Sequence, residues 1–82
     1  MNQATTEKLF SLIHKEIGRD PAEIDADKPI RDQIALDSMQ FVSLTARIEL
    51  ALDIELPLSV MEATTLNEFL GEINKTLQQR VS

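Results

Sequence analysis

One stretch of the chain combines residue types that could do chemistry, and it reads Leu36-Asp37-Ser38-Met39. Ser38 stands at the predicted N-cap of an amphipathic helix, where the helix dipole places partial positive charge. A phosphate esterified to that hydroxyl would lie in a field that favours anions. Asp37 adds a fixed negative charge that a basic surface of a modifying enzyme could recognise. We therefore interpret Ser38 as the carrier of a prosthetic group; the alternative is an ordinary helix start, which is what an Asp-Ser pair usually marks.

The rest of the chain offers little for other kinds of chemistry. It has no cysteine, which excludes disulfides, a thiolate metal site and a cysteine nucleophile. Its one histidine, His14, has no partners for a metal site or a Ser-His relay. Asp25-Ala26-Asp27 is not a calcium loop, because Leu36 stands where the bidentate glutamate belongs. We therefore expect a protein that is not an enzyme and holds no metal.

Composition places the chain among small globular proteins. Its 82 residues are enough for one domain with a single thin core. The net charge of −6 argues against nucleic acid and anionic membrane surfaces, and no apolar run reaches the length of a membrane span. We expect a cytoplasmic protein without membrane insertion. Residues 20–62 hold ten acids against three bases, a net charge of −7, which is either a solvated face or a field that steers basic partners.

Hydrophobic periodicity predicts three long helices and one short one, at about 5–17, 38–52, 58–64 and 65–79. Thr5 or Thr6 caps the first helix, and Gly18 follows its end. Its apolar stripe consists of Leu9, Phe10, Ile13 and Ile17. The pattern therefore predicts an all-α fold, a small four-helix bundle.

The second helix and the segments around it carry clear start and stop signals. Leu50 falls off the apolar stripe of this helix, which consists of Phe41, Leu44, Ile48 and Leu52. Pro57 prevents the helix from continuing, and Thr65-Leu66-Asn67-Glu68 is a capping box for the last helix. The long connection over 19–37 begins with a single helical turn at Asp20-Pro21-Ala22-Glu23. Four apolar residues are predicted to pin this connection to the core: Ile24, Ile30, Ile34 and Leu36.

An ordered set of short motifs runs from about Thr6 to Leu77. In chain order these motifs are Ile17-Gly18, Asp20-Pro21-Ala22-Glu23-Ile24, Asp37-Ser38-Met39, Asp53-Ile54-Glu55-Leu56-Pro57 and Thr64-Thr65-Leu66. On this set the sequence resembles the acyl carrier protein family of phosphopantetheine-binding carrier domains. The resemblance implies that Ser38, flanked by Asp37 and Met39, bears 4′-phosphopantetheine as a phosphodiester. The thiol of that group would carry the cargo, since the chain has no thiol of its own.

The resemblance also implies partners and a surface that they bind. The partners are a phosphopantetheinyl transferase and the enzymes that load and accept acyl groups. In the family, such enzymes bind acidic residues on the exposed face of the second helix. The corresponding docking residues in this sequence are Gln40, Ser43, Arg47, Glu49 and Leu50. Three of these positions are commonly acidic in the family and are uncharged here, so the usual docking surface is eroded.

Two further departures lie close to Ser38. Ala35 replaces the glycine that usually stands two positions before the aspartate, and Met39 replaces the usual leucine. We predict a stand-alone, monomeric acyl carrier protein for a specialised lipid or secondary-metabolite pathway. Met39 also occurs in D-alanyl carrier proteins, so an aminoacyl or peptidyl carrier is the first alternative. The second alternative is an unmodified helical interaction module in which Ser38 is only a cap.

Overall fold

The computed structural model describes residues 2–81, with the side chains of residues 2–79. Three α-helices make up most of this part of the chain: α1 (Gln3–Ile17), α2 (Ser38–Leu52) and α3 (Leu66–Val81). Three short 3₁₀ helices connect them, at Pro21–Glu23, Ile30–Asp32 and Leu58–Glu62. No strand occurs within 2–81, which confirms the predicted all-α class. None of the helices described combines the length and the apolar character needed to span a bilayer.

The first helix starts earlier than the sequence pattern predicts, at Gln3 instead of about residue 5. Asn2 is its N-cap, because the Asn2 side chain accepts a hydrogen bond from the Thr5 amide at 2.8 Å. The Thr6 hydroxyl does not cap the helix but donates to the Asn2 carbonyl oxygen at 3.0 Å. The end of α1 is as predicted, with Gly18 in the left-handed region at φ 75°.

The predicted short helix at 58–64 is a 3₁₀ helix that covers only Leu58–Glu62. Ala63 ends it with extended backbone at φ −64° and ψ 130°, so the helix stops at Glu62 and does not reach residue 64. The last helix then begins at Leu66, one residue later than predicted, because Thr65 is its cap. The bounds predicted for the second helix agree with α2 (Ser38–Leu52).

The core is one cluster of apolar side chains from the helices and their connections. Its members are Leu9, Ile13, Ile24, Ile30, Ile34, Phe41, Leu44, Ile48, Ile54, Val60, Leu66, Phe69 and Ile73. Phe10 is not among them, contrary to the predicted stripe, and is only partly buried. Leu9 and Ile13 lie one turn apart on the buried line of α1, whereas Phe10 lies about 100° around the helix from Leu9.

Helix α2 is joined to α3 through an aromatic pair. The rings of Phe41 and Phe69 lie edge to face, with centroids 5.3 Å apart and planes at 79°. Both side chains are buried, so the contact contributes apolar burial as well as the aromatic geometry. The pair therefore positions the first turn of α2 relative to the last helix.

Hydrogen bonds tie the long loop between α1 and α2 to the start of α3. The Ile30 amide donates to the Thr64 carbonyl oxygen at 2.8 Å, and the Asn67 amide donates to the Ala26 carbonyl oxygen at 3.1 Å. The side-chain amide of Asn67 also donates to the carboxylate of Asp27. The predicted apolar anchors support the same arrangement, since three are buried and the fourth is partly buried: Ile24, Ile30, Ile34 and Leu36.

Thr65 and Glu68 form the predicted capping box at the start of α3. The Glu68 amide donates to Thr65 Oγ1 at 3.1 Å, and the Thr65 amide donates to Glu68 Oε1 at 3.2 Å. The Thr64 hydroxyl donates to the same carboxylate oxygen at 2.8 Å, and the Thr65 hydroxyl at 3.1 Å. The Thr64 hydroxyl first, then the Thr65 hydroxyl and amide, lower the pKa of Glu68 below its ordinary value of 4.5.

Glu68→Gln is therefore expected to make the fold less sensitive to acid. A glutamate with a lowered pKa in the folded state stabilises the protein above its ordinary pKa of 4.5. That contribution is lost as the pH falls through the lowered value. Glutamine keeps the acceptor oxygen but takes up no proton, so the melting temperature of the variant should fall less between about pH 5 and about pH 3. Glu55→Gln removes a carboxylate elsewhere and is the control, and an unchanged pH profile for Glu68→Gln would contradict the prediction.

Candidate functional site

Ser38 is the first residue of α2, and Asp37 is its N-cap, which corrects the prediction that Ser38 caps the helix. Asp37 has extended backbone at φ −89° and ψ 170°, and its carboxylate accepts a hydrogen bond from the Gln40 amide at 2.8 Å. The Gln40 side chain in turn accepts a hydrogen bond from the Asp37 amide at 3.3 Å. The two residues therefore complete a capping box in which the Ser38 side chain takes no part.

The Ser38 hydroxyl is exposed and makes no hydrogen bond to any residue within 2–81. The amides of Ser38 and Met39 precede the first intrahelical bond, which the Phe41 amide makes to the Asp37 carbonyl oxygen. These free amides lie at the positive end of the helix dipole. A phosphodiester on Ser38 Oγ would thus meet unpaired donors and a favourable field, so the residues present fit a phosphate-linked group.

One polar side chain, Gln33, holds together residues 25–33 of the long loop. Gln33 accepts a hydrogen bond from the Asp25 amide at 2.7 Å and donates to the Asp25 carbonyl oxygen at 2.9 Å. It also donates to the Lys28 carbonyl oxygen at 3.2 Å.

Ala35 needs no glycine-like freedom, because Asp53 is the one non-glycine residue within 2–81 with a positive φ. The departure at Ala35 therefore leaves the entry into α2 unstrained.

Three of the five predicted docking residues make contacts within the protein. Gln40 belongs to the capping box described above. The Arg47 guanidinium lies 3.0 Å from the Glu16 carboxylate and so joins α2 to α1. The Glu49 carboxylate accepts a hydrogen bond from the Leu56 amide at 2.9 Å and so holds the chain where it turns back after α2. These side chains stabilise the bundle, and their docking role stays a prediction.

The other two predicted docking residues, Ser43 and Leu50, differ in exposure. Ser43 is half-buried, whereas 84% of Leu50 is exposed, as its position off the apolar stripe predicts. Two exposed side chains on the same helix are missing from the prediction, Val42 and Ala46. The signal for them is present in the sequence, because they continue the spacing of Met39 and Leu50 by three and four residues.

An apolar cleft opens beside the start of α2. It has a volume of about 160 Å³ and is lined by the long loop, by Phe41 and by residues 61–64. Leu36 and Phe41, which flank Ser38 in sequence, belong to its wall. A smaller cavity of about 20 Å³ lies deeper in the core, has an entirely apolar lining and shares Ile30, Leu36 and Phe41 with the cleft. The cleft and this cavity therefore lie next to each other and share part of one apolar wall.

A comparison with protein families matches most of the chain to one family. A family model described as "Phosphopantetheine attachment site" matches residues 7–81 of the chain. The matched region contains most of α1, the long loop, all of α2 and α3 to its end. It therefore covers Ser38, the capping box and the cleft together.

Proposed function

The chain belongs to the phosphopantetheine attachment-site family, and we propose that Ser38 is the residue to which its 4′-phosphopantetheine is attached. As a member it is a phosphopantetheine carrier protein, with the group bound covalently. The observation that supports Ser38 is its position: an exposed, unbonded hydroxyl on the first residue of α2, next to free amides. When bound, the group supplies a terminal thiol that holds cargo as a thioester.

The residues around Ser38 would act by position and not by catalysis. Asp37 caps α2, so the Ser38 hydroxyl is not used for capping. That hydroxyl is therefore available to form the phosphate ester. The Ser38 and Met39 amides favour the negative charge of the resulting phosphodiester. No base on this chain contacts the Ser38 hydroxyl within 2–81, so its activation belongs to the modifying enzyme.

The attachment site is tested by mass spectrometry. Incubation of the apo protein with a phosphopantetheinyl transferase and coenzyme A should raise the intact mass by one phosphopantetheine group. Fragmentation should then place the added mass on the peptide that contains Ser38. An added mass on another peptide would contradict the proposed site without affecting the membership of the family.

We also propose that the cargo is an acyl group with a short apolar tail. The cleft of about 160 Å³ beside Ser38 has the size of an apolar protein cavity that binds benzene, which is about 150 Å³. A tail of about six carbons would fill it and gain the free energy of apolar burial. The cleft is lined in part by Arg31 and Glu62, which are exposed, so its polar groups lie toward solvent and its apolar wall toward the core.

The cargo proposal predicts where chemical shifts change on loading. A hexanoyl group on the holo protein should shift the signals of Phe41, Met61 and Ala63, which line the cleft. Acetyl and D-alanyl groups, which are too short or too polar to fill the cleft, are the controls and should affect mainly the residues next to Ser38. Identical shifts for all three cargoes would contradict an acyl tail in the cleft, and stronger cleft shifts with D-alanyl would favour an aminoacyl carrier.

A further inference from the structure

Two segments that lie far apart in sequence line the apolar cleft beside Ser38. One is residues 29–31 in the long loop, and the other is residues 61–64, just before α3. The Ile30 amide of the first segment donates to the Thr64 carbonyl oxygen of the second at 2.8 Å. The shape of the cleft therefore depends on how the long loop is held against the start of α3.

Asn67, in the first turn of α3, joins the same two parts of the molecule by two further hydrogen bonds. Its backbone amide donates to the Ala26 carbonyl oxygen at 3.1 Å, and its side-chain amide donates to the Asp27 carboxylate. We call this pair of bonds the Asn67 clasp. Asp27 and Asn67 are both exposed, so neither side chain belongs to the apolar core. What their contact fixes is therefore the position of the loop.

The Asn67 clasp reaches the wall of the cleft through Gln33, which binds the loop on both sides of Asp27. The Gln33 side chain donates to the carbonyl oxygens of Asp25 and Lys28 at 2.9 and 3.2 Å. It also accepts a hydrogen bond from the Asp25 amide at 2.7 Å. This part of the loop is thus one hydrogen-bonded unit, and a displacement at Asp27 should move Ile30 as well.

Ile30 is the residue of this unit that lies between the cleft and the smaller cavity in the core. Its side chain is buried and lines both spaces, as the Phe41 side chain does. Phe41 is held on α2, whereas Ile30 belongs to the loop and would move with it. Release of the Asn67 clasp would therefore join the cleft of about 160 Å³ to the cavity of about 20 Å³.

We propose that the Asn67 clasp limits the length of the acyl tail, because it keeps Ile30 in place between the cleft and the cavity. Asp27 and Asn67 are positioning residues for the cargo, since neither lines the cleft and both act through Ile30. The proposal rests on the proposed function, in which an acyl tail occupies the cleft. A tail of about six carbons fits while the clasp is closed, and a tail of about eight carbons requires it to open.

Two variants test the clasp. Asn67→Asp places a second carboxylate against that of Asp27, and like charges in contact repel. Aspartate is favourable in the first turn of a helix, so α3 itself should not be weakened. The double variant Asp27→Asn with Asn67→Asp exchanges the two partners and restores a hydrogen bond from an amide to a carboxylate. It also keeps the net charge of the unchanged protein, which makes it the matched control.

The first measurement is hydrogen exchange of the Ile30 amide in the apo protein, which reports how often the loop leaves Thr64. Asn67→Asp should accelerate this exchange about fivefold, because a hydrogen bond between exposed groups is replaced by a like-charge contact. The double variant should exchange like the unchanged protein. Amides in the middle of α1, such as that of Ile13, should keep their rates, which excludes a general loss of stability.

The second measurement uses the holo protein loaded with a hexanoyl or an octanoyl group. Leu44 is the reporter, because its side chain lines the inner cavity and not the cleft. In the unchanged protein and in the double variant, neither group should shift the Leu44 methyl signals. In Asn67→Asp, the octanoyl group should shift them and the hexanoyl group should not.

Each other outcome overturns the proposal in a recognisable way. Unchanged Ile30 exchange in Asn67→Asp would show that the contact does not hold the loop. Faster exchange without a Leu44 shift would show that the clasp does not limit the tail, and so would an octanoyl-induced Leu44 shift in the unchanged protein. A double variant that behaves like Asn67→Asp would show that the contact between the two side chains is not the cause.

Failure of the clasp is distinguishable from failure of the proposed function. If a hexanoyl group on the unchanged protein leaves the cleft signals of Met61 and Ala63 in place, the proposed cargo is wrong, and the limit on its length with it. If those signals shift as expected and Leu44 does not respond to Asn67→Asp, only the clasp is wrong.

Discussion

Ser38→Ala protein is expected to accept no phosphopantetheine while its melting temperature stays within about 3 °C of that of the unchanged protein. Modification should be lost completely because the variant lacks the proposed ester oxygen. The melting temperature should change little because Asp37 caps α2, so the substitution removes a hydroxyl that makes no hydrogen bond within 2–81. A serine that capped the helix would cost about 1 kcal/mol when replaced by alanine.

Two measurements on the same samples check this prediction. Intact mass after incubation with transferase and coenzyme A reports modification, and thermal unfolding by circular dichroism reports stability. Ser11→Ala is the control, because Ser11 is an exposed helical serine on α1, outside the proposed site and the predicted docking residues. A Ser38→Ala protein that still gains the mass, or that loses stability as a missing cap would, contradicts the assignment of roles at the start of α2.

Phe69→Ala should destabilise the fold far more than any substitution of an exposed side chain. Phe69 is among the largest fully buried side chains and forms the edge-to-face pair with Phe41. Truncation of a buried phenylalanine costs about 3–5 kcal/mol through lost burial and the cavity left behind. A small domain has a total free energy of unfolding of about 5–15 kcal/mol, so the melting temperature should fall on the order of 20 °C.

Denaturant and thermal unfolding measure this loss, and two variants provide the comparison. Phe69→Leu keeps much of the apolar volume and should lose about half as much stability. Leu58→Ala truncates an exposed apolar side chain and should change stability by less than about 0.5 kcal/mol. A Phe69→Ala protein as stable as the Leu58→Ala protein would contradict the packing of α3 against α2.

Several features of the fold follow from local patterns and are predictable for that reason. The bounds of α2 depend on a run of helix-forming residues between Asp37 and Pro57. The capping box of Thr65 and Glu68 depends on two side chains three residues apart. The burial of the loop anchors depends on isolated isoleucines in a polar stretch, of which Ile30 is an example. Each of these features depends on neighbours in sequence.

The exposed position of Leu50 is predictable in the same way, since it falls outside the stripe that α2 presents to the core. The spacing of the apolar residues Met39, Val42, Ala46 and Leu50 is present in the sequence as well, but their exposure depends on which side of α2 is covered. Val42 lies next to the buried line and is still 53% exposed. Packing against α1 and α3 decides this, and residue spacing alone leaves a boundary residue undetermined.

The sequence by itself determined where the candidate site lies, at the start of the second helix, because helix starts are local. Only the tertiary structure decided which residue caps the helix and which one keeps an unbonded hydroxyl. Asp37 and Ser38 are both good caps, and the backbone geometry that the long loop imposes gives that role to Asp37 and leaves the Ser38 hydroxyl free. Arg47 pairs with Glu16 because α1 packs beside α2, a contact between residues 31 positions apart that no local pattern contains. Long-range packing therefore determines which charges remain available to a partner.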